Sequence, residues 1–301
     1  MDIICKNLQF EYNKNTEFKV VALNNVTLTI KEGEFFGIIG HTGSGKSTFV
    51  QHLNALIPLD EGELKIGEYD LSLQKAKKRK DRAAIKAKLK SLRRDVGMVF
   101  QYPEYQLFAE TVRDDVAFGI KNFMPELSES EVDIYVKNAI ETVGLDYNEI
   151  KDRSPFDLSG GQKRRVAIAG VIAVRPKILI LDEPCAGLDP QGKSELWALL
   201  KRLHETSIKT IIIVSHDMND VADHCTKAVI FERGAVKKIG TPKELFSVHS
   251  LIEDCGLEVP VTAYLQEELS LRGVNIDTDY SLDDFSEKLI AYLKSVKSEK
   301  I

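Results

Sequence analysis

Short apolar runs of strand length recur along most of this chain, separated by polar stretches that carry helix start signals. The clearest runs are Phe35 to Ile39, Val96 to Phe100, Ile178 to Leu181, Thr210 to Val214 and Ala228 to Glu232. Each is nearly continuous rather than alternating, which predicts strands buried on both faces. Between them, a hydroxyl residue followed three positions later by an acid marks helix starts at Thr111 with Asp114, Ser128 with Glu131 and Thr241 with Glu244. A hydroxyl at the cap accepts from an amide that the helix leaves unpaired, and Pro242 suits the first helical position, where an N–H is not needed. Strands alternating with helices up to about residue 240 predict an α/β sheet covered by helices. Beyond Gly240 the strand pattern stops. Helical patterns around Leu245 to Cys255, Val261 to Leu271 and Leu282 to Val296 predict a helical C-terminal extension, and no internal repeat is visible.

Length and composition narrow the picture only a little. The 301 residues suffice for a substantial core. No apolar run approaches the roughly 18 residues of a membrane span, and "MDIICKNLQF" lacks a basic segment followed by an apolar stretch. These features predict a cytoplasmic chain that does not itself cross a bilayer. Cys5, Cys185, Cys225 and Cys255 are scattered without metal-ligand spacing, which fits reduced thiols used in packing. A formal net charge of −5 gives no global attraction to nucleic acid. One segment departs from that average: "QKAKKRKDRAAIKAKLKSLRR", Gln74 to Arg94, has Asp81 as its single acid. It reads first as a solvated basic helix, next as a helix near anionic lipid headgroups, and third as a nucleic-acid contact.

Chemistry enters with "GHTGSGKST", Gly40 to Thr48, which follows the apolar run "FFGII" and opens a helical stretch. Strand, glycine-rich loop and helix in that order are the context in which G-x-x-x-x-G-K-[ST] binds phosphate, because loop amides and a helix N-terminus face the anion. Residues Gly40, His41, Thr42, Gly43, Ser44, Gly45, Lys46, Ser47 and Thr48 are therefore candidate nucleotide ligands. Gly43 and Gly45 supply backbone conformations a side chain disfavours, Lys46 reaches the β and γ phosphates, and Ser47 binds Mg²⁺. Far downstream, "ILILDEP" is an apolar strand ending in two acids, placing Asp182 and Glu183 at the carboxyl edge of the sheet. Asp182 fits the Mg²⁺ partner, and Glu183 is placed to orient or deprotonate the attacking water. His216, just after "TIIIVS", is a further candidate for the γ-phosphate and the water.

A phosphate loop and an acidic strand suit many nucleotide enzymes, and "LSGGQ", Leu158 to Gln162, separates them. With the loop at 40–48, Gln101, "LDEP", "GLDP" and His216 in that order, the chain resembles the ATP-binding cassette (ABC) ATPases over roughly residues 3 to 240. That resemblance implies a P-loop NTPase with a RecA-like core, an antiparallel β subdomain and a helical subdomain at about 102–175, followed by a mostly helical extension at 241–301. It also implies ATP and Mg²⁺ as ligands. Ser159, Gly160, Gly161 and Gln162 form a second cradle at a helix start, where anions bind. The family's head-to-tail packing sets this cradle over the γ-phosphate held by a second cassette, with Asp189 at the seam. Tyr12 is expected to stack on adenine, with Phe10 and Phe18 nearby as alternatives. Cys185 departs from the small hydroxyl residue more often found after "EP".

"QYPEYQLFAETV", Gln101 to Val112, has neither strand alternation nor a helical stripe. Gln101 matches the family glutamine that senses Mg²⁺ and water, and Tyr102 to Glu110 is the region that grips a membrane subunit. With the helical extension, this run resembles the ATPase components of energy-coupling factor transporters, which take up vitamins and transition-metal ions, and "PEYQLF" resembles the second of their two paralogues. The implied partners are a second ATPase subunit, identical or paralogous, a transmembrane T component against the Gln101 to Phe108 surface, and indirectly a substrate-binding S component. No specific nucleic acid is implied. The implied location is peripheral, at the cytoplasmic face of the membrane, with the extension keeping the cassettes paired. A soluble ABC ATPase acting on ribosomes or DNA is the alternative, and the missing second cassette and coiled-coil insertion speak against it.

Overall fold

The computed structural model describes residues 1–73 and 79–298. The start of the basic run, 74–78, lies outside the described residues. The strands are β1 (Ile3–Tyr12), β2 (Val20–Ile30), β3 (Phe35–Ile39), β4 (Glu61–Ile66), β5 (Tyr69–Asp70), β6 (Val96–Val99), β7 (Ile178–Asp182), β8 (Thr210–Val214), β9 (Lys227–Glu232) and β10 (Ala235–Gly240). The helices are α1 (Lys46–Leu53), α2 (Arg79–Asp95), α3 (Val112–Phe123), α4 (Glu129–Thr142), α5 (Tyr147–Ile150), α6 (Gly160–Ile172), α7 (Pro190–Thr206), α8 (Met218–His224), α9 (Pro242–Phe246), α10 (His249–Asp254), α11 (Val261–Leu271) and α12 (Leu282–Ser298).

Six strands form the main sheet in the order β10-β9-β3-β8-β7-β6. The pairs β3–β8, β8–β7, β7–β6 and β3–β9 are parallel, and β10 alone runs antiparallel to its neighbour. The continuous apolar runs are explained by burial on both faces. Phe35 and Ile39 point into the larger of two apolar clusters, while Phe36 and Ile38 point into the smaller. The apolar runs alone do not mark off a second sheet, but the antiparallel β subdomain implied by the family resemblance is present. The N-terminal strands build one of their own, antiparallel, in the order β2-β1-β4-β5. One face of β4 is buried at Leu64 and Ile66 while Glu61, Glu63 and Lys65 are exposed, the half-solvated pattern that antiparallel sheets tolerate. The smaller cluster fills the space between the two sheets.

Between β6 and β7 the chain makes a helical subdomain from α3, α4, α5 and α6. The predicted start signals are used as caps. The Thr111 hydroxyl accepts from the Asp114 amide, and Ser128 with Glu131 and Thr241 with Glu244 form reciprocal capping boxes. In α2, Leu92 is buried and Leu89 packs on the smaller cluster, whereas Lys86, Lys88 and Lys90 face solvent.

The C-terminal extension is not a loose appendage. Leu245, Phe246, Ile252 and Cys255 belong to the larger cluster together with the residues under the sheet. The backbone amides of Val261 and Leu282 donate to Asn219 and Asp223 on α8, at 2.9 and 2.7 Å. The helical stretch expected from Leu245 to Cys255 is broken into α9 and α10 at Ser247 and Val248, where Val248 leaves helical geometry at φ −115°, ψ 83°. Phe246 is fully buried, so Phe246→Ala is expected to cost about 3–5 kcal/mol of global stability in urea unfolding. A cost below about 1 kcal/mol would mean that the extension does not share the main core.

Candidate active site

Parallel strands deliver their carboxyl ends to one edge of the sheet, and the loops leaving that edge carry the candidate residues. After β3 the chain turns at Gly40, whose φ is 151° and where a Cβ would stand 2.4 Å from the Phe231 carbonyl oxygen. Gly45 has φ 102°, and a Cβ there would lie 2.5 Å from the Ala22 carbonyl oxygen, so both positions exclude a side chain. Gly45 caps α1 with no side chain bonded to the helix start, the arrangement that leaves first-turn amides for an anion. His41 and Thr42 are exposed at the rim of the loop, and the His41 ring packs its Nδ1 2.6 Å from the Thr42 carbonyl.

Lys46 is 6 % exposed, and its Nζ donates to the carbonyls of Gly40 and His41 at 2.7 and 2.9 Å. Burial pushes its ammonium pKa down, and the carboxylates of Glu183 and Asp182 oppose that shift. A partly desolvated cation held by its own loop carbonyls is prepared to receive a polyanion. The Ser44 hydroxyl is fully buried with no hydrogen-bond partner among the described residues, a polar atom that a phosphate oxygen in the loop would satisfy. Thr48 Oγ1 lies 3.3 Å from Tyr12 Oη, which ties the end of β1 to the first turn of α1. Tyr12 is 39 % exposed, whereas Phe10 packs edge-on against both Tyr12 and His52 and leans on the smaller cluster, and Phe18 is 79 % exposed.

At the end of β7, Asp182 is buried. Burial raises its carboxyl pKa, and a hydrogen bond from Ser47 opposes the rise. Glu183 follows with φ 48°, a left-handed conformation uncommon for a residue with a side chain. Its amide donates to the Val214 carbonyl at 3.0 Å, and the turn projects the carboxylate beyond the edge. There Gln101 Nε2 donates to Glu183 Oε2 at 3.0 Å, and His216 Nδ1 stands 3.5 Å from the same oxygen. Gln101, Glu183 and His216 thus leave adjacent strands, β6, β7 and β8, and meet at one carboxylate oxygen.

The structure also shows what lies outside that cluster. Ser159 and Gln162 form a capping box at the start of α6, with Ser159 N donating to Gln162 Oε1 at 3.0 Å. Ser159, Gly160 and Gly161 are exposed, and a Cβ at either glycine would meet no atom within 4 Å. Asp189 is likewise exposed and caps α7 by accepting from the Gly192 amide at 2.7 Å. Cys185 is half-buried, and burial pushes its thiol up to about 12, so it stays protonated and unreactive.

Two site residues went unread in the sequence. Lys193 on α7 bonds Asp217 and Asp220 at 2.5 and 2.8 Å, which fixes the residue after His216. Arg164 on α6 is 5 % exposed and joins Glu104 to the carbonyls of Pro184 and Ala186. Both look like ordinary surface cations in the sequence, and only the fold reveals what surrounds them.

The family model described as ABC transporter matches residues 23–186 of the chain. A protein of Caldanaerobacter subterraneus subsp. tengcongensis named energy-coupling factor transporter ATP-binding protein EcfA2 is 46 % identical, over 99 % of this chain and 100 % of its own length. A Clostridioides difficile protein of the same name is 45 % identical over 98 % of each chain. Among solved structures, cbiO1 from Clostridium perfringens, described as part of the ABC transporter complex cbiONQ, superposes with a TM-score of 0.69 at 36 % identity, covering 88 % of this chain and 98 % of that one. The ATP-binding cassette MJ0796, solved as a dimer in a post-hydrolysis state with ADP and Pi, superposes with a TM-score of 0.67 at 31 % identity, covering 80 % and 98 %. Fold, loop geometry and relatives agree with one another, and the chain belongs to the ABC family as an ATP-binding protein of the energy-coupling factor transporter type, on the EcfA2 side of that type.

Proposed function

We propose that this chain is the ATP-hydrolysing subunit of an energy-coupling factor importer, acting at the cytoplasmic face of the membrane and paired with a second cassette, identical or paralogous. The observation that carries the reading is the convergence of Gln101 and His216 on one oxygen of Glu183, at the sheet edge that also holds Lys46. Residues 40–48 receive the triphosphate, with Lys46 at its β and γ phosphates and Tyr12 positioned for the base. Glu183 accepts a proton from water as the water oxygen attacks the γ-phosphorus. The bond from that phosphorus to the β–γ bridging oxygen breaks, and ADP and phosphate leave. Gln101 and His216 hold the carboxylate and the water in line.

A divalent cation fits the same edge. Ser47 hydrogen-bonds Asp182, and Gln101 lies on the next strand end, so these three residues would hold Mg²⁺. Among the described residues no group of three or more His, Cys, Asp and Glu is placed to bind a metal unaided. That suits Mg²⁺, which takes one or two protein oxygens and completes its shell with substrate phosphates and water. When bound, it supplies charge neutralisation at the phosphate oxygens.

Two features support pairing. The cradle at Ser159, Gly160 and Gly161 is exposed, and among the described residues no atom lies within 4 Å of a Cβ built at either glycine, as expected if the phosphate it binds sits on the partner cassette. Val261, Tyr264, Leu265, Leu271, Ile290 and Leu293 of the extension are exposed apolar residues, the surface a dimerising extension needs. The membrane-facing surface is read from the run after Gln101. Pro103 and Leu107 are buried and anchor it, while Tyr105 and Phe108 are 84 % and 59 % exposed. Phe108 packs edge-on against Phe118 at 4.9 Å, so the exposed aromatics form a platform suited to a helix of the T component. Among the described residues no helix is long and apolar enough to cross a membrane.

Three outcomes test the reading. Glu183→Gln should retain ATP binding while turnover falls about 10²- to 10⁴-fold, close to 3–5 kcal/mol of barrier; unchanged turnover in a steady-state phosphate assay would remove Glu183 from the chemistry. Lys46→Ala should weaken ATP binding by calorimetry, since it deletes the charge that reaches the phosphates, and full affinity would contradict the loop assignment. Tyr105→Ala combined with Phe108→Ala should leave the melting temperature within a few degrees yet reduce co-purification of the transmembrane partner from detergent extracts. Undiminished recovery would place the partner elsewhere.

A further inference from the structure

The Arg164 guanidinium makes four hydrogen bonds to two segments that are far apart in sequence. Nε and Nη2 donate to the two carboxylate oxygens of Glu104, both at 3.1 Å, a two-point match of guanidinium and carboxylate. Nη1 donates to the Pro184 carbonyl at 3.1 Å and Nη2 to the Ala186 carbonyl at 2.9 Å. Glu104 sits in the short helical turn Pro103–Gln106, one residue before the exposed Tyr105. Pro184 comes directly after Glu183, and the Ala186 amide donates back to the Glu183 carbonyl at 3.1 Å. Arg164 itself stands in the first turns of α6, five residues beyond Ser159. The side chains of Arg164 and Glu104 are 7 % and 18 % exposed, so neither charge has water as an adequate substitute for the other.

We propose that Arg164 is a positioning residue that locks the aromatic turn at 103–106 to the loop at 184–186, so that movement of the membrane-facing turn moves the backbone beside Glu183. This inference rests on the reading of the chain as a membrane-coupled ATPase and adds the part that transmits force. The geometry requires a planar, five-donor cation. A lysine in its place has one nitrogen and cannot hold a carboxylate at two points while reaching two carbonyls. The lock also ties both segments to the helix that bears the second cradle, which makes turn, cradle and catalytic loop one mechanical body.

The test uses two variants that retain the fold's volume, Glu104→Gln and Arg164→Lys, in the full chain. Hydrogen–deuterium exchange of the chain alone reads the lock, and ATP hydrolysis by the detergent-solubilised complex reads its consequence. In both variants amides at 185–189 should exchange faster while those of β9 and β10 keep their wild-type rates. The kcat should drop about 10- to 100-fold with KM for ATP within about twofold, because a misplaced catalytic loop loses transition-state interactions without losing nucleotide binding. Unchanged exchange at 185–189, or a change in KM with kcat intact, overturns the proposal, as does wild-type kcat in Arg164→Lys. A residue that merely supported folding would speed exchange throughout and lower the active fraction, which also counts against the lock. If the wild-type complex hydrolyses no ATP, the functional reading fails, while the exchange data still decide whether the two segments are coupled.

Discussion

The parallel register of the main sheet is the constraint from which the site follows. Gly37 lies beside Ile213, Ile213 beside Leu181, and Leu181 beside Val99, so β3, β8, β7 and β6 run level with one another and finish at a common edge. Hydrogen-bonded strands buried on both faces cannot slip by one residue without sending apolar side chains to the wrong layer. The positions of Lys46, His216, Asp182, Glu183 and Gln101 are therefore set by the core rather than by the loops that carry them. That arrangement explains how a cluster built on four separate loops holds a distance as short as that between Gln101 and Glu183.

Charge is the second organising element. Lys46, Asp182 and Glu183 share a partly desolvated edge, and burial works against the ionised forms of Lys46 and Asp182. Their mutual attraction offsets part of that cost. A two-state device of this kind needs its ligand to prefer one state. Shifting a population from 1:99 to 99:1 takes about 5.5 kcal/mol of differential affinity, which the proposed pairing would draw from triphosphates contacted from both sides.

The legible parts of the sequence were those where physics leaves few residues to choose from. Gly40 and Gly45 occupy places a Cβ would fill, so the phosphate loop declares itself. The all-apolar strands declare the doubly covered sheet, and Thr111, Ser128 and Thr241 sit at the helix starts they signalled. The illegible parts depend on contacts between distant segments. The antiparallel pairing of the N-terminal strands is expected from the family resemblance and not from the short apolar runs, which do not distinguish it from membership of the main sheet. The break between α9 and α10 interrupts an apolar pattern that runs straight through it. Arg164 and Lys193 read as solvated cations in polar helices, because nothing local announces that Glu104, Asp217 and Asp220 come to meet them. Side-chain burial of a charge is a property of the whole fold.

Leu245, Phe246, Ile252, Cys255, Leu257, Ala263 and Tyr280 all contribute to the apolar cluster beneath the main sheet. During synthesis the amino-terminal portion emerges first and begins to collapse as a unit. The cluster nevertheless stays incomplete until these late residues leave the ribosome. A truncated or stalled product would carry a phosphate loop over an unfinished interior, and proteases would meet it as an open structure. A chain that stops before Leu245 thus lacks the side chains that close this cluster, and its interior stays open to water.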